Sequence, residues 1–113
     1  MSKKIFPKRG EIYWVNLDPT KGKETKKTRP GLIVSNDIGN EVSSVIVIAP
    51  ITSQVKNIYP FEVKVFLNQT PAKIMLNQIR AVDKSRLGLK IKVLDIDTIR
   101  AVEEALKIVF GLS

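Results

Sequence analysis

The chain has 113 residues, 43% of them hydrophobic and 27% charged, a composition typical of one globular domain and not of a disordered chain. It contains no cysteine and no histidine, which excludes disulfides, histidine-based acid–base catalysis and a structural zinc site. Lys and Arg number 19 against 11 Asp and Glu, so the formal net charge is +8, which favours a polyanionic partner such as nucleic acid or anionic lipid. We therefore expect a single domain over residues 1–113.

The amino-terminal segment carries positive charge, but no apolar stretch long enough for the hydrophobic region of a signal peptide follows it. The longest apolar run, residues 45–50, is far shorter than a helix that spans a bilayer. These patterns predict a soluble cytoplasmic protein without a membrane segment.

The first half of the chain begins with two predicted strands separated by a basic loop. Residues 11–17 alternate and are rich in aromatic and β-branched side chains, which predicts a strand that ends before Pro19. Residues 20–28 contain no apolar side chain, so they are predicted to form an exposed loop. The residue before a proline is excluded from the helical region, so extended structure resumes at Arg29 and continues as a second strand to Ser35.

A third strand is predicted over residues 42–49, after a turn at residues 36–37, and its apolar composition suits a central position in a sheet. Pro50 is expected to end this strand because it has no N–H to donate. Thr52 and Ser53 would then lie just past a core strand, at the mouth of a loop.

Further short strands are predicted over residues 61–67 and, as one or two strands, over residues 73–82, before a turn at residues 83–87. Successive short strands without intervening helices favour a barrel over a doubly wound parallel sheet. The fold class expected from the residues is therefore mainly β.

The last segment changes to the helical period. Its apolar face is formed by Ile96, Ile99, Val102, Leu106, Val109 and Phe110. Asp95 or Asp97 can cap the start of this helix and Gly111 its end, so we predict a C-terminal helix packed on the barrel. Three other apolar residues lie outside this face: Ala101, Ala105 and Ile108. They either contact a second subunit or are isolated apolar residues at the surface.

Five short blocks of sequence are specific when they are taken together and in order. They are RGEIYWVNLDPT, TRP, VSND, APITS and QIRAVDKSRL, at residues 9–20, 28–30, 34–37, 49–53 and 78–87. Together they resemble the MazF/PemK/Kid family of toxin ribonucleases. The resemblance implies an SH3-like (PemK-like) small barrel with a C-terminal helix, a homodimer, and sequence-specific cleavage of single-stranded RNA. It also implies a cognate antitoxin whose C-terminal segment binds across the active site.

The resemblance assigns the family's catalytic pair to Arg29, in the Arg-Pro block, and Thr52, in the Ile-Thr-Ser block. One branch of the family has a carboxylate directly before the residue that matches Gln78 and a histidine in the preceding basic loop. This chain has Asn77 and Lys23 at those places. A mechanism built on that Asp and His is unavailable here, which leaves the Arg/Thr version.

Cleavage through the 2′-hydroxyl needs a proton acceptor, stabilisation of a negatively charged phosphorane and a donor for the leaving 5′-oxygen. Arg29 suits the charge stabilisation, since a guanidinium can hold two phosphate oxygens but stays protonated at neutral pH. Thr52 and Ser53 can donate hydroxyls to the phosphate or a base, or can close the strand end as a turn. Glu24, which matches a family glutamate, can accept the 2′-hydroxyl proton, pair with Arg29, or only offset the loop's lysines.

The predicted RNA contacts lie mainly in the basic loop. Its lysines either follow the phosphate backbone or are only solvated: Lys21, Lys23, Lys26 and Lys27. Gln78 matches a residue that the family uses near bound RNA and is a candidate for base discrimination. Some aromatic residues can stack on bases but are more often core at strand spacing, so they are given no ligand role: Tyr13, Trp14, Tyr59 and Phe61.

These residues predict a metal-independent endoribonuclease toxin with no cofactor, held in check by an antitoxin with an acidic C-terminal segment. Two alternatives stay open, a non-enzymatic toxin of the same fold that inhibits DNA gyrase and an RNA-binding barrel without chemistry. A site that cuts RNA needs Arg29 and Thr52 beside a basic loop, whereas a protein-binding surface does not.

Overall fold

The structure is a computed structural model that describes residues 5–17 and 28–113. Within these ranges it contains seven strands and two α-helices: β1 (Glu11–Asn16), β2 (Thr28–Ile33), α1 (Asp37–Val42), β3 (Val45–Thr52), β4 (Glu62–Leu67), β5 (Thr70–Met75), β6 (Arg80–Asp83), β7 (Leu87–Val93) and α2 (Ile96–Phe110). Short 3-10 turns at Leu76–Gln78 and Lys84–Arg86 flank β6.

The strands form one antiparallel sheet in the order β4-β5-β3-β2-β1-β7, with β6 pairing β3. β3 is the shared strand: residues 45–48 pair with β6, residues 48–50 with β2, and residues 51–52 with β5. The sheet curls around β3 because this strand changes partner along its length. A curled antiparallel sheet with a C-terminal helix confirms the predicted mainly β barrel.

The core consists of two clusters. The larger one joins the sheet to α2: Ile12, Leu32, Ala49, Ile51, Val63, Val65, Ala72, Ile74, Leu76, Leu94, Val102 and Ala105. The smaller one contains Val15, Ile33, Ile46, Ile48 and Val82. Successive side chains of a strand point to opposite faces, and adjacent Leu32 and Ile33 are both fully buried, so β2 is covered on both faces.

Gly31 is the point of closest packing in β2. A Cβ atom at this residue would lie 2.9 Å from Cγ2 of Val15, closer than side-chain carbons approach one another. Gly31 pairs with Tyr13 on β1 and with Pro50 on β3. Any larger residue here would push these neighbouring strands apart.

The structure corrects the prediction around the third strand. Residues 36–37 begin helix α1 and not a simple turn, with the Asn36 side chain accepting a hydrogen bond from the Gly39 N–H at 2.9 Å. β3 runs from Val45 to Thr52, so Pro50 lies inside it. Pro50 is tolerated because it falls between the end of the β6 pairing at residue 48 and the start of the β5 pairing at residue 51, where that edge of β3 has no partner.

Helix α2 lies where the sequence predicts it, with Asp95 at its N-cap and Gly111, in the left-handed conformation at φ 67°, at its C-cap. The buried face differs in part, because Ala105 is buried with Val102 and is therefore unavailable to a second subunit. Ile96 and Phe110, predicted to face the core, are 61% and 58% exposed because they occupy the two ends of the helix. No helix in the described ranges is long and apolar enough to cross a membrane.

Candidate active site

Arg29 and Thr52 lie at the same end of the sheet. Arg29 is the second residue of β2 and Thr52 the last of β3, and the two strands are antiparallel. A cavity of about 370 Å³ opens at this end, a size within the usual range of ligand sites. It is lined by Trp14, Arg29, Pro30, Ile51, Thr52, Ser53, Leu67, Asn68, Thr70, Ala72 and Ile91. The fold thus brings together the predicted residues Arg29, Thr52 and Ser53.

The Arg29 guanidinium is available to a ligand. Its side chain is exposed, Arg29 is one of the residues that line the cavity, and it has no hydrogen bond or ion pair to any residue of the described ranges. Pro30 follows it and holds the backbone extended, as predicted. A guanidinium offers five N–H donors in a rigid fork, so an unpaired one at a cavity wall is suited to a phosphate with two free oxygens.

Thr52 has the structural one of the two roles that the sequence left open, and this role is compatible with the other. Its hydroxyl oxygen accepts a hydrogen bond from the Gln54 N–H at 3.2 Å, which closes the strand end as a turn. That bond uses an oxygen lone pair and leaves the hydroxyl hydrogen free to donate into the cavity. Ser53, which is exposed beside it, adds a second hydroxyl to the cavity wall.

A buried ion pair holds the loop that follows Thr52. Lys73, the pairing partner of Thr52 on β5, lies 2.9 Å from Oε1 of Glu62, and the two side chains are only 11% and 5% exposed. Lys73 also donates to the Asn57 carbonyl at 2.7 Å, and the Tyr59 N–H donates to Glu62 at 2.9 Å. These bonds fix the chain between β3 and β4, and with it the setting of Ser53. This pair is not evident from the sequence, since strand alternation alone does not show which charged residues face inward.

Aromatic residues occupy the surface more than the sequence indicated. Trp14 is 43% exposed and forms a cavity wall with Leu67 and Ile91. Its neighbours Tyr13 and Val15 pack against the smaller core cluster, so Trp14 points to the other face of β1. Tyr59 is 51% exposed, with its ring stacked on that of Phe61 at 5.5 Å between centroids. The expectation of a core position was therefore wrong for Trp14 and Tyr59.

A second group of charged residues, around Glu11, is fully engaged within the protein. The Glu11 carboxylate accepts hydrogen bonds from the Tyr13 hydroxyl at 2.7 Å and the Lys8 N–H at 2.8 Å, and pairs with Lys90 at 3.0 Å. Burial opposes ionisation of Glu11, but these bonds and the Lys90 charge outweigh it and lower its pKa. Burial and the bond to Glu11 raise the pKa of Tyr13, which keeps its phenol protonated at neutral pH. Neither group is poised to accept a proton from a substrate.

The remaining predicted site residues do not join this cavity. Gln78 is exposed at the end of the 3-10 turn after β5 and is absent from the described residues that line the cavity. The rest of the predicted contacts fall between residues 18 and 27, outside the described part of the chain: Lys21, Lys23, Glu24, Lys26 and Lys27. Their roles stay predictions.

The fold and the site define a small, curled β-sheet protein of high positive charge. An arginine without a partner among the described residues lies at a cavity suited to a phosphate-bearing ligand. A family model described as PemK-like, MazF-like toxin of type II toxin-antitoxin system matches residues 8–110. This chain belongs to that family, and the resemblance noted in its sequence is confirmed.

Individual relatives agree with this assignment. The chain is 37% identical to Endoribonuclease EndoA of Bacillus subtilis strain 168, with 96% of this chain and 97% of that protein covered. It is 28% identical to a chain in the crystal structure of MazE-MazF from Deinococcus radiodurans, with a TM-score of 0.81 and coverage of 97% and 100%. A mycobacterial endoribonuclease in complex with its cognate antitoxin, at 23% identity, TM-score 0.80 and coverage of 95% and 97%, shows the same fold.

Proposed function

We propose that this protein is a sequence-specific, metal-independent endoribonuclease that cleaves single-stranded messenger RNA in the cytoplasm and is neutralised by a cognate antitoxin. The observation that supports this most directly is that Arg29, which has no partner among the described residues, and Thr52 line one cavity. The names of its relatives support it as well, since one is an endoribonuclease and another is a MazF toxin crystallised with MazE.

In the proposed reaction, the ribose 2′-oxygen attacks the adjacent phosphorus and the bond from phosphorus to the 5′-oxygen breaks. The products are a cyclic 2′,3′-phosphate and a free 5′-hydroxyl, so one proton leaves the 2′-oxygen and one is added to the 5′-oxygen. Arg29 binds the non-bridging phosphate oxygens and stabilises the extra negative charge of the transition state. Thr52 donates its hydroxyl to one of these oxygens. Glu24 is a candidate acceptor of the 2′-hydroxyl proton, which is one of the three roles that the sequence leaves open for it.

The proposal includes the wider set of contacts. Ser53 at the cavity wall binds the substrate, while Gln78 and the lysines of the basic loop keep their predicted roles along the RNA. We propose that two copies form a homodimer and that the antitoxin carries an acidic C-terminal segment. Such a segment would compete with RNA for a surface on a chain of net charge +8.

The test is cleavage of a mixed-sequence RNA by purified protein in excess EDTA, with the product ends mapped. We expect discrete cuts that leave cyclic phosphate ends. Arg29→Ala and Thr52→Val should each cut at least ~100-fold more slowly, because each removes a donor that acts on developing charge.

Two matched variants serve as controls. Arg100→Ala makes the same charge change on the exposed surface of α2, and Thr52→Ser keeps the hydroxyl, so both should retain most of the activity. RNA left intact by the unmodified protein would refute the proposed activity. Equal cleavage by Arg29→Ala and the unmodified protein would refute the assigned site.

A further inference from the structure

The β4–β5 hairpin closes with an unusual pair of residues. Leu67 pairs with Thr70, so the turn consists of Asn68 and Gln69 alone, with φ values of 50° and 67°. They are the two non-glycine residues with positive φ among those the structure describes. Positive φ at both positions is a type I′ turn, in which Asn is favoured at the first position and Gly at the second. Asn68 therefore suits its place, whereas Gln69 does not.

The turn puts Asn68 at the cavity that holds Arg29 and Thr52. The Asn68 side chain is exposed, and its amide makes no hydrogen bond to any residue of the described ranges. The left-handed backbone therefore places Asn68 at the cavity, and no bond to a described residue engages its amide. Trp14, 43% exposed, belongs to the same cavity lining.

Asn68 differs in kind from the other polar residues of the lining. Arg29 only donates hydrogen bonds, and the hydroxyls of Thr52, Ser53 and Thr70 combine donor and acceptor on a single atom, so a hydroxyl can rotate to suit different bases. An amide has its donor and acceptor on separate atoms in a fixed plane. Among the described lining residues, only Asn68 can therefore read an ordered donor–acceptor pair.

We propose that Asn68 determines sequence specificity by pairing its amide with the edge of one base next to the cleaved phosphate, with the Trp14 indole as the stacking surface. An asparagine amide forms two hydrogen bonds with a base that presents a donor beside an acceptor, as adenine does. Single-stranded RNA is read by stacking on aromatic rings and by hydrogen bonds to base edges, which are the two contacts this cavity offers. The inference rests on the proposed function, because it concerns the substrate of that site.

The test uses variants that change the Asn68 amide and the backbone of the turn independently. Asn68→Gly removes the amide and keeps a residue that accepts positive φ, and Asn68→Asp keeps the size but replaces the donor with a second acceptor. Gln69→Gly changes the same turn at a residue that is not part of the cavity lining, and is the matched control. Cleavage rates are measured on RNAs that carry each base in turn at every position of the recognition sequence.

We expect Asn68→Gly to weaken the preference at one position by roughly 10- to 100-fold, the range for one two-bond amide–base contact, and to leave the other positions unchanged. Asn68→Asp should shift that position towards cytosine, whose amino group donates to a carboxylate. Gln69→Gly should keep the preference of the unmodified protein. An unchanged preference in Asn68→Gly, or a uniform fall in rate at every position, would overturn the inference.

An independent measure of base preference comes from binding. The same panel is made with 2′-deoxy sugars, which prevent cleavage, and the affinity for each member is measured. If the unmodified protein cuts no RNA, the proposed function fails, yet base preference is still measured from affinity. Loss of that preference in Asn68→Gly would support the assignment of Asn68, and its retention would overturn it. Circular dichroism on each variant verifies that the hairpin and the rest of the fold are intact.

Discussion

Arg29 lies near the start of β2, and Arg9, which precedes β1, contacts the residue that follows β2. The guanidinium groups of these two arginines are used differently. Arg9 donates to the Val34 carbonyl at 3.2 Å and pairs with Glu103 of α2 at 2.9 Å. Arg29 has no such partner in the described part of the chain. A guanidinium whose donors are satisfied inside the protein joins elements of the fold, whereas one with free donors at a cavity is available to a ligand.

The neighbours of each arginine follow the same division. Beside Arg9, the fully buried Asn40 donates to the Ser35 carbonyl at 2.8 Å and to Asp37 at 3.2 Å, and accepts from the Ser35 hydroxyl. We call this the closed end of the sheet, and the cavity with Arg29, Thr52 and Asn68 the open end. If the division is correct, substitutions at the closed end lower stability and leave chemistry unchanged, and substitutions of the cavity-lining residues at the open end do the reverse. The buried Lys73–Glu62 pair lies near this cavity but is not part of its lining, and it belongs with the structural contacts.

The largest loss of stability is expected at this buried pair near the open end. Lys73→Met leaves the Glu62 carboxylate buried without its partner, and breaking such a pair typically costs about 3–5 kcal/mol. Urea denaturation measures the unfolding free energy. The double variant with Glu62→Gln should recover part of the loss, since it removes the unpaired charge. A single-variant loss below about 1 kcal/mol would contradict the assignment of this pair as structural.

At the closed end, Asn40→Ala should destabilise the protein by about 1–3 kcal/mol. The substitution removes the Asn40 bonds to the carbonyl and the hydroxyl of Ser35 in a partly buried setting, where the hydroxyl keeps its bond from the Val47 N–H. The cleavage rate per folded molecule should not change, because the site lies at the other end of β2 and β3. Thermal unfolding together with an active-site titration tests both statements, and a loss of rate with full stability would disprove the division.

The two arginines themselves give a smaller and more direct contrast. Arg9→Ala should lower the unfolding free energy by about 1 kcal/mol, since its ion pair is partly exposed and screened by solvent but its bond to Val34 is lost as well. Arg29→Ala should change stability by less than about 0.5 kcal/mol. Paired denaturation curves of the two variants decide this, and a larger loss in Arg29→Ala would show that its guanidinium has a structural partner.

Glu11 adds a pH-dependent test. Its folded-state pKa lies below the ordinary value of 4.5, so its stabilising contribution is present above pH 4.5 and is lost as the pH falls through the lowered value. Glu11→Gln should therefore flatten the fall in unfolding free energy below pH 4.5. Part of the slope should persist, because hydrogen bonds from Ser85 and Thr98 also lower the pKa of Asp83 and Asp95. An unchanged slope would contradict the role given to the Glu11 cluster.

The smallest expected effect is an increase in stability. Gln69→Gly should stabilise the protein by about 0.5 kcal/mol, because relief of the positive φ slightly exceeds the added flexibility of glycine in the unfolded chain. A shift of the thermal midpoint measures it. Asn68→Gly, in the same turn, should give a smaller gain since Asn already tolerates this conformation. A destabilised Gln69→Gly would mean that the Gln69 side chain has a stabilising contact.

The sequence predicted those parts of the molecule that depend on local pattern. Strand β1 and helix α2 follow from alternation and helical spacing. Gly111 ends α2 as predicted, and Asp95, one of the two residues predicted to cap its start, lies at the N-cap. The site prediction relied on the resemblance, which identified Arg29 and Thr52 as a pair although 22 residues separate them along the chain. Their common position then follows from the antiparallel pairing of β2 and β3.

The features that were missed depend on contacts between distant elements. Pro50 remains in β3 because β6 and β5 leave a gap on that edge, which no property of Pro50 reveals. Trp14 and Tyr13 are adjacent, and both suit a buried strand face, so alternation could not decide which one faces the cavity. Ala105 became a core residue because its small side chain lets α2 approach the sheet.

The close packing of Gly31 also determines where Arg29 lies in the sheet. A shift of β2 by one residue would place Pro30 or Leu32 against Val15, where there is no space even for a methyl group. The same shift would also turn the Arg29 side chain to the opposite face of the sheet, because alternate residues of a strand face opposite sides. The absence of a side chain at Gly31 thus permits only one alignment of β2 with β1. A protein that folds with this alignment has Arg29 and Thr52 at one cavity, and one that does not would lack the proposed site altogether.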